Sequence, residues 1–325
     1  MAKLKLALYW SAACGGCDVA VLDTNEKILD VAALADIVLW PIALDFKYHH
    51  VEALPDASID VTLFNGAVRN SEQKELALLL RRKSKVMVAF GSCAYTGGIP
   101  SLANFHNEQD IFQRVYLETP STENPQKVVP QIKTKVPEGE LELPSFYDTV
   151  FTLDQVVPVE YYVPGCPPTV DTILTVVNAL ATNSLPPPGA VIASNKTLCD
   201  ECTRKKENKK ISKLYRVHEF TPDPDRCLLE QGLLCMGSAT RGGCGALCVK
   251  ANMPCRGCYG PPPGVIDQGA RMLSALASIY DAPDDEGIAR MMKEIADPAG
   301  TFYRFGMAKS LLRRKRPATA EVGAR

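Results

Sequence analysis

Leu4-Lys-Leu-Ala-Leu-Tyr-Trp10, followed directly by Ser11-Ala-Ala-Cys-Gly-Gly-Cys17, decides the fold. The first segment is a mostly apolar run of strand length bounded by small residues, and it reads as a buried strand. Ser11 to Gly16 reads as a turn. Asp18 to about Ala35 reads as a helix, with Val21, Leu22, Ile28, Leu29 and Val31 interleaved among Asp, Glu and Lys. The pattern then repeats. Residues 36–41 are a second short apolar run, and residues 59–65 are a third strand closed by Gly66. Ser71 is the expected cap of a helix reaching about Arg82, and residues 85–90 are a fourth strand. Strands alternating with helices predict an α/β fold, with a parallel sheet covered on both faces. Ligands of such sheets collect at the carboxyl ends of the strands. Cys14 and Cys17 follow the first strand, and Cys93 follows the fourth.

Those three belong to a larger set. The chain has 12 cysteines, which divide into three groups of four. Cys14, Cys17, Cys93 and Cys166 lie in the first half; Cys199, Cys202, Cys227 and Cys235 follow a proline run; Cys244, Cys248, Cys255 and Cys258 come last. A [4Fe–4S] cube takes four thiolates, one per iron. Three cubes are therefore expected, and a row of cubes is a path for electrons. Gly15-Gly16, Gly91 and Gly97-Gly98 let the backbone turn sharply against a bulky cube, and their N–H groups are expected donors to sulfur.

Three rival readings use the same residues. An even number of cysteines permits disulfides. The opening Met1-Ala-Lys-Leu lacks the basic region, apolar stretch and small-residue cleavage site of an export leader, so reduced thiols and a cytoplasmic chain are expected. Zinc suits Cys199-x2-Cys202 and Cys255-x2-Cys258, but it suits poorly a first group spread over about 150 residues. Inert buried cysteine does not account for Cys14-Gly-Gly-Cys17, Gly91-Ser-Cys93 and Pro164-Gly-Cys-Pro-Pro168 in one domain.

At 325 residues and 46% apolar composition, the chain has material for two domains and ample core. A net charge of −1 lacks the basic footprint of a nucleic-acid binder. No stretch approaches the roughly 18 apolar residues of a membrane span, so membrane contact would need another subunit. Residues 106–160, with their proline-bounded segments, read as a surface excursion. A helix is expected from Thr169 to about Thr182. Pro186-Pro-Pro-Gly189 reads as a rigid linker and divides the chain into 1–185 and 186–325. Beyond it periodicity fades up to Gly264, and inorganic cores are expected to hold this region together. Helices return at about Val265 to Tyr280 and around Glu286 to Ile295. The basic tail from Leu312 is expected to be mobile and solvated.

These motifs resemble the small, electron-transferring subunit of [NiFe] hydrogenases. Cys14-x2-Cys17, Gly91-Ser-Cys-Ala94 and Gly165-Cys-Pro-Pro168 match the family's proximal-cluster pattern. The last two also resemble a cluster subunit of respiratory complex I, which has adjacent cysteines in the first motif and lacks the eight later ones. The resemblance implies a flavodoxin-like sheet domain holding the proximal cube, followed by a smaller, irregular domain holding two more. Cys244, Cys248, Cys255 and Cys258 would hold the medial [4Fe–4S] cluster, where many relatives have proline in one position. Cys199, Cys202, Cys227 and Cys235 would hold the distal one, with Cys199 where uptake enzymes use histidine. Phe64-Asn-Gly-Ala-Val-Arg-Asn70, Gly97-Gly-Ile-Pro100 and Cys255-Arg-Gly-Cys-Tyr-Gly-Pro261 look most like the cytoplasmic, methyl-viologen-reducing (F420-non-reducing) group. The implied partners are a large subunit carrying nickel and iron and an electron-accepting iron–sulfur or flavin subunit, heterodisulfide reductase-like or nucleotide-linked. The two Cys-x2-Cys pairs of the second half lack the companions of a nickel site, so no catalytic residue is expected in this chain. Alternatives are a subunit of another oxidoreductase, complex I-like or F420-linked, and a metal-stabilised scaffold without redox work.

Three further features carry expectations. Asp18 reads as a first-turn carboxylate or as a polar contact at the large-subunit seam. His218 reads as a surface or packing residue. Arg204-Lys-Lys-Glu-Asn-Lys-Lys-Ile-Ser-Lys213 reads as a solvated basic face, or as a guide for an acidic electron carrier.

Overall fold

Five parallel strands form the central sheet: β1 (Leu4–Trp10), β2 (Ala35–Leu39), β3 (Ile59–Asn65), β4 (Ser84–Phe90) and β5 (Tyr161–Val163). Their spatial order is β2-β1-β3-β4-β5, the flavodoxin-like arrangement. The computed structural model describes residues 3–314. Alternation along the strands divides the core in two, because successive side chains point to opposite faces. Leu6, Leu8, Val61, Leu63, Val88 and Phe90 pack on one face with Val21, Ile173 and Val176. Ala7, Tyr9, Phe64, Met87 and Ala89 pack on the other with Leu76 and Leu80. Helices cover both faces, as expected of a parallel sheet.

The first expected helix is two. α1 (Gly16–Leu22) and α2 (Ile28–Leu34) are separated by a turn. Thr24 Oγ1 donates to the Val21 carbonyl at 2.7 Å, and Asn25 has φ 54°. Short polar side chains here compete with the helix ladder. Leu22 and Leu29 end up exposed rather than in the core. α3 (Ser71–Lys83) is capped by Asn70, not Ser71: Asn70 Oδ1 accepts from the Gln73 amide at 2.9 Å. Ser71 Oγ instead accepts from the Ser145 amide at 3.0 Å. The short α4 (Ser92–Thr96) follows β4, and α5 (Val170–Ala181) follows β5, with Thr169 as its cap.

The 106–160 excursion carries an exposed hairpin, Lys133–Val136 with Gly139–Glu142. It is anchored where Phe146–Phe151 pairs antiparallel with Val68–Asn70. After the proline run the chain follows the β5 edge: Gly189 N–H donates to Glu160 O at 2.7 Å and Ile192 N–H to Tyr162 O at 2.8 Å.

Residues 190–264 have few regular elements: short turns, the four-residue helix Leu247–Lys250 and isolated bridges such as Thr197↔Arg241. Then come α6 (Gln268–Ile279), α7 (Asp285–Glu294) and α8 (Pro298–Phe302). This region does have an apolar cluster, including Leu198, Leu228, Leu233, Met236, Met272 and Phe302. The later helices and the loops bury each other, so apolar packing from beyond Gly264 adds to whatever the inorganic cores contribute. The start of the basic tail is docked rather than free. Asn104 Nδ2 donates to Arg313 O at 2.9 Å, and Arg314 Nη1 donates to Thr149 Oγ1 at 2.8 Å. The rest of that tail lies outside the described residues. Among the described residues no helix is long and apolar enough to cross a membrane.

Candidate iron–sulfur sites

Loops at the carboxyl ends of β1, β4 and β5 bring the first quartet together. Gly91 N–H donates to Val163 O and Ser92 N–H to Gly165 O, both at 2.7 Å. These bonds fix the Cys93 loop against the Cys166 loop. Cys14 lies before α1 and is exposed, whereas Cys17 and Cys93 are buried. Two glycines line the cradle directly. Gly91 has φ +85°, and a Cβ there would run into the Cys17 sulfur. Gly98 has φ +55°, and its Cβ would stand 2.5 Å from the Cys93 sulfur. Burial, then the neighbouring Cys93, Cys166, Asp18 and Cys14, pushes the Cys17 thiol far above its ordinary range. Burial, then Cys166 and Cys14, pushes Cys93 up to about 12.

The second quartet in sequence forms its own group. Gly237 lies between two of its sulfurs: a Cβ there would be 3.3 Å from Cys199 Sγ and 3.7 Å from Cys235 Sγ. Burial, then Cys235, Cys227 and Cys202, pushes the Cys199 thiol up to about 12, with Lys206 opposing. The last quartet is a third group. Burial raises Cys258 to about 12, with Cys244, Cys166 and Cys248 adding to it.

The groups abut, and not in sequence order. Ser92 Oγ donates to the Cys258 carbonyl, and Cys166 lies close enough to Cys258 for its charge to raise that thiol. On its other side, the Cys255 amide donates to Cys235 Sγ at 3.3 Å, and Met236 N–H donates to Cys255 O at 3.0 Å. The last quartet in sequence is thus the middle one in space.

A local pattern recurs around the sulfurs: the amide two residues after a cysteine lies beside it. The Gly16 amide donates to Cys14 Sγ at 3.4 Å, and the amides of Gly237, Ala246 and Gly257 oppose the rise that burial imposes on the Cys235, Cys244 and Cys255 thiols. Only the first of these glycines is among those marked by the sequence reading. The Cys-x-Gly spacing at Cys235 and Cys255 was the available signal.

All 12 cysteines are free thiols. Among the described residues, no three of His, Cys, Asp or Glu are arranged to hold a single metal ion. Tetrahedral zinc needs its sulfurs about 2.3 Å from one centre, whereas a cube gives each thiolate its own iron. The donor set, the side-chain-free glycine cradles and the N–H donors aimed at sulfur all fit a cube. Crowded buried thiolates repel one another, and a cationic iron core offsets that repulsion.

Asp18 sits in the first turn of α1, as expected, and its burial adds a second role. It is 1% exposed and faces inward. Trp40 Nε1 donates to Oδ1 at 2.9 Å and Asn65 Nδ2 to Oδ2 at 2.8 Å. It ties α1 to the ends of β2 and β3 behind Cys17. The basic run is corrected at its first member. Arg204 points inward, donating to the carbonyls of Asp223, Arg226 and Val249 and to Asn252 Oδ1. His218 is exposed.

The NADH ubiquinone oxidoreductase, 20 Kd subunit family matches residues 14–180. The iron–sulfur subunit of the F420-non-reducing hydrogenase of Archaeoglobus profundus is 43% identical over 318 residues, which is 96% of this chain and 98% of that protein. The corresponding subunit of the F420-non-reducing hydrogenase of Methanothermobacter thermautotrophicus is 35% identical over 315 residues, 95% and 96% of the two chains. Among solved structures, the recombinant [NiFeSe] hydrogenase from Desulfovibrio vulgaris Hildenborough aligns with a TM-score of 0.51 at 15% identity. That alignment covers 81% of this chain and 95% of the other, and it supports the fold. With relatives matched along nearly its whole length, the chain belongs to the family of small, iron–sulfur subunits of F420-non-reducing [NiFe] hydrogenases, oxidoreductases whose nickel–iron site lies on another subunit.

Proposed function

We propose that this chain is a three-cluster electron relay between the nickel–iron site of its large subunit and an acceptor subunit in the cytoplasm. Cys14, Cys17, Cys93 and Cys166 hold the proximal site; Cys244, Cys248, Cys255 and Cys258 the medial; Cys199, Cys202, Cys227 and Cys235 the distal. When bound, [4Fe–4S] cubes supply one-electron carriers at each site. The chain's own residues fix the thiolates, exclude water and aim N–H groups at sulfur. The observation that carries the reading is the pair of junctions at the middle quartet, Ser92 hydroxyl to Cys258 carbonyl and Cys255 amide to Cys235 sulfur. They support three contiguous sites, with an end on each region. The domain division 1–185 and 186–325 follows the same line, one site on the sheet and two beyond it.

The outer ends differ in chemistry. Cys14 is exposed, and Trp10, Val19, Leu22, Ile42 and Leu44 are exposed apolar side chains on the same part of the sheet domain. An apolar surface of this kind suits a permanent partner, here the large subunit. The distal end lies beside Lys206, which acts on Cys199. That surface suits an acidic acceptor, an iron–sulfur or flavin subunit of heterodisulfide reductase-like or nucleotide-linked type.

The test compares two variants of the assembled enzyme. Cys199→Ser should block acceptor reduction while hydrogen–deuterium exchange at the nickel site persists, because exchange needs no exit route. Cys93→Ser should impair acceptor reduction and also assembly with the large subunit. Loss of exchange in an assembled Cys199→Ser enzyme, as complete as its loss of acceptor reduction, would refute the order.

A further inference from the structure

Beside the middle and distal quartets is a cavity that the relay does not use. It measures about 210 Å³ and is lined in part by Arg216, His218, Arg256, Thr301 and Arg304. Three arginines therefore line one space. Arg304 and Arg216 are close enough for their charges to act against that of Arg256. Like charges at this range repel, and a protein keeps them together at a cost unless something negative lies between them.

The two carboxylates at this cavity do not outnumber the three guanidiniums. Among the described residues, none of the three arginines forms an ion pair. Two carboxylates border the cavity, but both face other partners. Glu294 Oε2 accepts from the Leu214 amide at 2.8 Å and from Tyr280 OH at 3.2 Å. Asp297 Oδ1 accepts from the Gly300 amide at 2.8 Å. Arg304 Nε donates to the Gly300 carbonyl at 2.8 Å, which fixes its guanidinium in orientation without pairing it to a carboxylate.

We propose that this cavity is a binding site for a phosphate-class oxyanion. Guanidinium is planar and presents paired donors that match the oxygens of phosphate. The Thr301 hydroxyl and the His218 ring add donors at the rim. The volume is several times the roughly 30 Å³ share of one water, enough for an oxyanion with part of its hydration. Occupancy has an electrical consequence. Arg256 lies between Cys255 and Cys258, and its charge reaches Cys235 and Cys248. An anion against Arg256 cancels positive charge beside two quartets at once. Net charge near a cluster is one of the levers that set its potential, so filling the cavity makes the neighbouring sites harder to reduce.

The experiment uses the anaerobically purified intact complex. Inorganic phosphate is titrated at constant ionic strength with chloride as the balancing ion, and binding is followed by calorimetry. The variants are Arg304→Gln, Arg216→Gln and, on the remote hairpin, Lys133→Gln. Wild type and Lys133→Gln should show one saturable site per chain. Arg304→Gln and Arg216→Gln should weaken it by about tenfold or more, equivalent to about 1.4 kcal/mol. Arg216 is exposed, so its variant decides the matter if Arg304→Gln fails to assemble. Absence of saturable binding to wild type, or wild-type affinity in Arg216→Gln, overturns the proposal.

Discussion

The sheet region and the region after the proline run assemble the same ligand set in different ways. In the first, β1, β4 and β5 place cysteines at strand ends, and the strand ladder does the positioning. In the second, most of the backbone between residues 190 and 264 is irregular, and position depends on side chains and single amides. Arg204 ties four loop groups. Glu230, 5% exposed, accepts from the Glu207 and Asn208 amides at 2.7 and 2.8 Å. A ladder is redundant, so losing one bond shifts little. A staple is not, and its loss releases a loop.

That contrast has a test with a large expected effect. Removing iron anaerobically with a chelator should leave amide protection in β1, β3 and β4 nearly intact. Protection at Leu198, Leu233 and Met236 should fall by several kcal/mol, because metal-binding energy acts there as folding energy. Hydrogen exchange read by mass spectrometry separates the regions. Equal loss in both would break the comparison.

A second test strikes the sheet region where its redundancy does not help. Gly98→Ala places a Cβ at positive φ and against the Cys93 sulfur and backbone. Strain of this kind costs about 1–3 kcal/mol. The variant should lose about four of an expected twelve irons, all from the proximal site, while its sheet still folds. Full iron content with wild-type stability would show that the cradle is looser than its geometry implies.

The smallest effect is expected from Glu230→Gln in the second region. The amide side chain keeps an acceptor oxygen but cannot serve both backbone donors with carboxylate strength. A cost of about 1 kcal/mol is expected, read as a lower denaturation midpoint and faster exchange at residues 207 and 208. An unchanged midpoint would mean that the loop is held by its neighbours instead.

The two regions are also unequally legible in the sequence. The first four sheet strands, α3, α5 and the helices after residue 265 follow from apolar periodicity and capping, since burial on two faces imposes a repeating pattern; the three-residue β5 is too short to show one. The break between α1 and α2 escapes that pattern because Val21, Leu22, Ile28 and Leu29 keep helical spacing across a turn made by Thr24 and Asn25. The cap at Asn70 lies one residue before the expected Ser71, because Asn and Ser are equally good candidates and only the Ser145 contact distinguishes them. In the second region cysteine spacing shows the ligand groups but not the staples. Nothing local marks Arg204 as inward among its lysine neighbours, and nothing marks Glu230 as a buried acceptor. Those roles come from partners distant in sequence. The N–H donors are intermediate: the Cys-x-Gly spacing is visible, and its meaning depends on the turn geometry.

The middle position of the last quartet has a consequence for how such a chain can be shortened. Polypeptide order and spatial order differ, since the chain builds the outer site before doubling back to fill the gap. Removing the segment that carries Cys244 to Cys258 would therefore leave two sites stranded on either side of a hole. Removing everything after the proline run would leave one complete site on an intact sheet. In this architecture two sites can be discarded together as a module, but the last one encoded cannot be discarded alone.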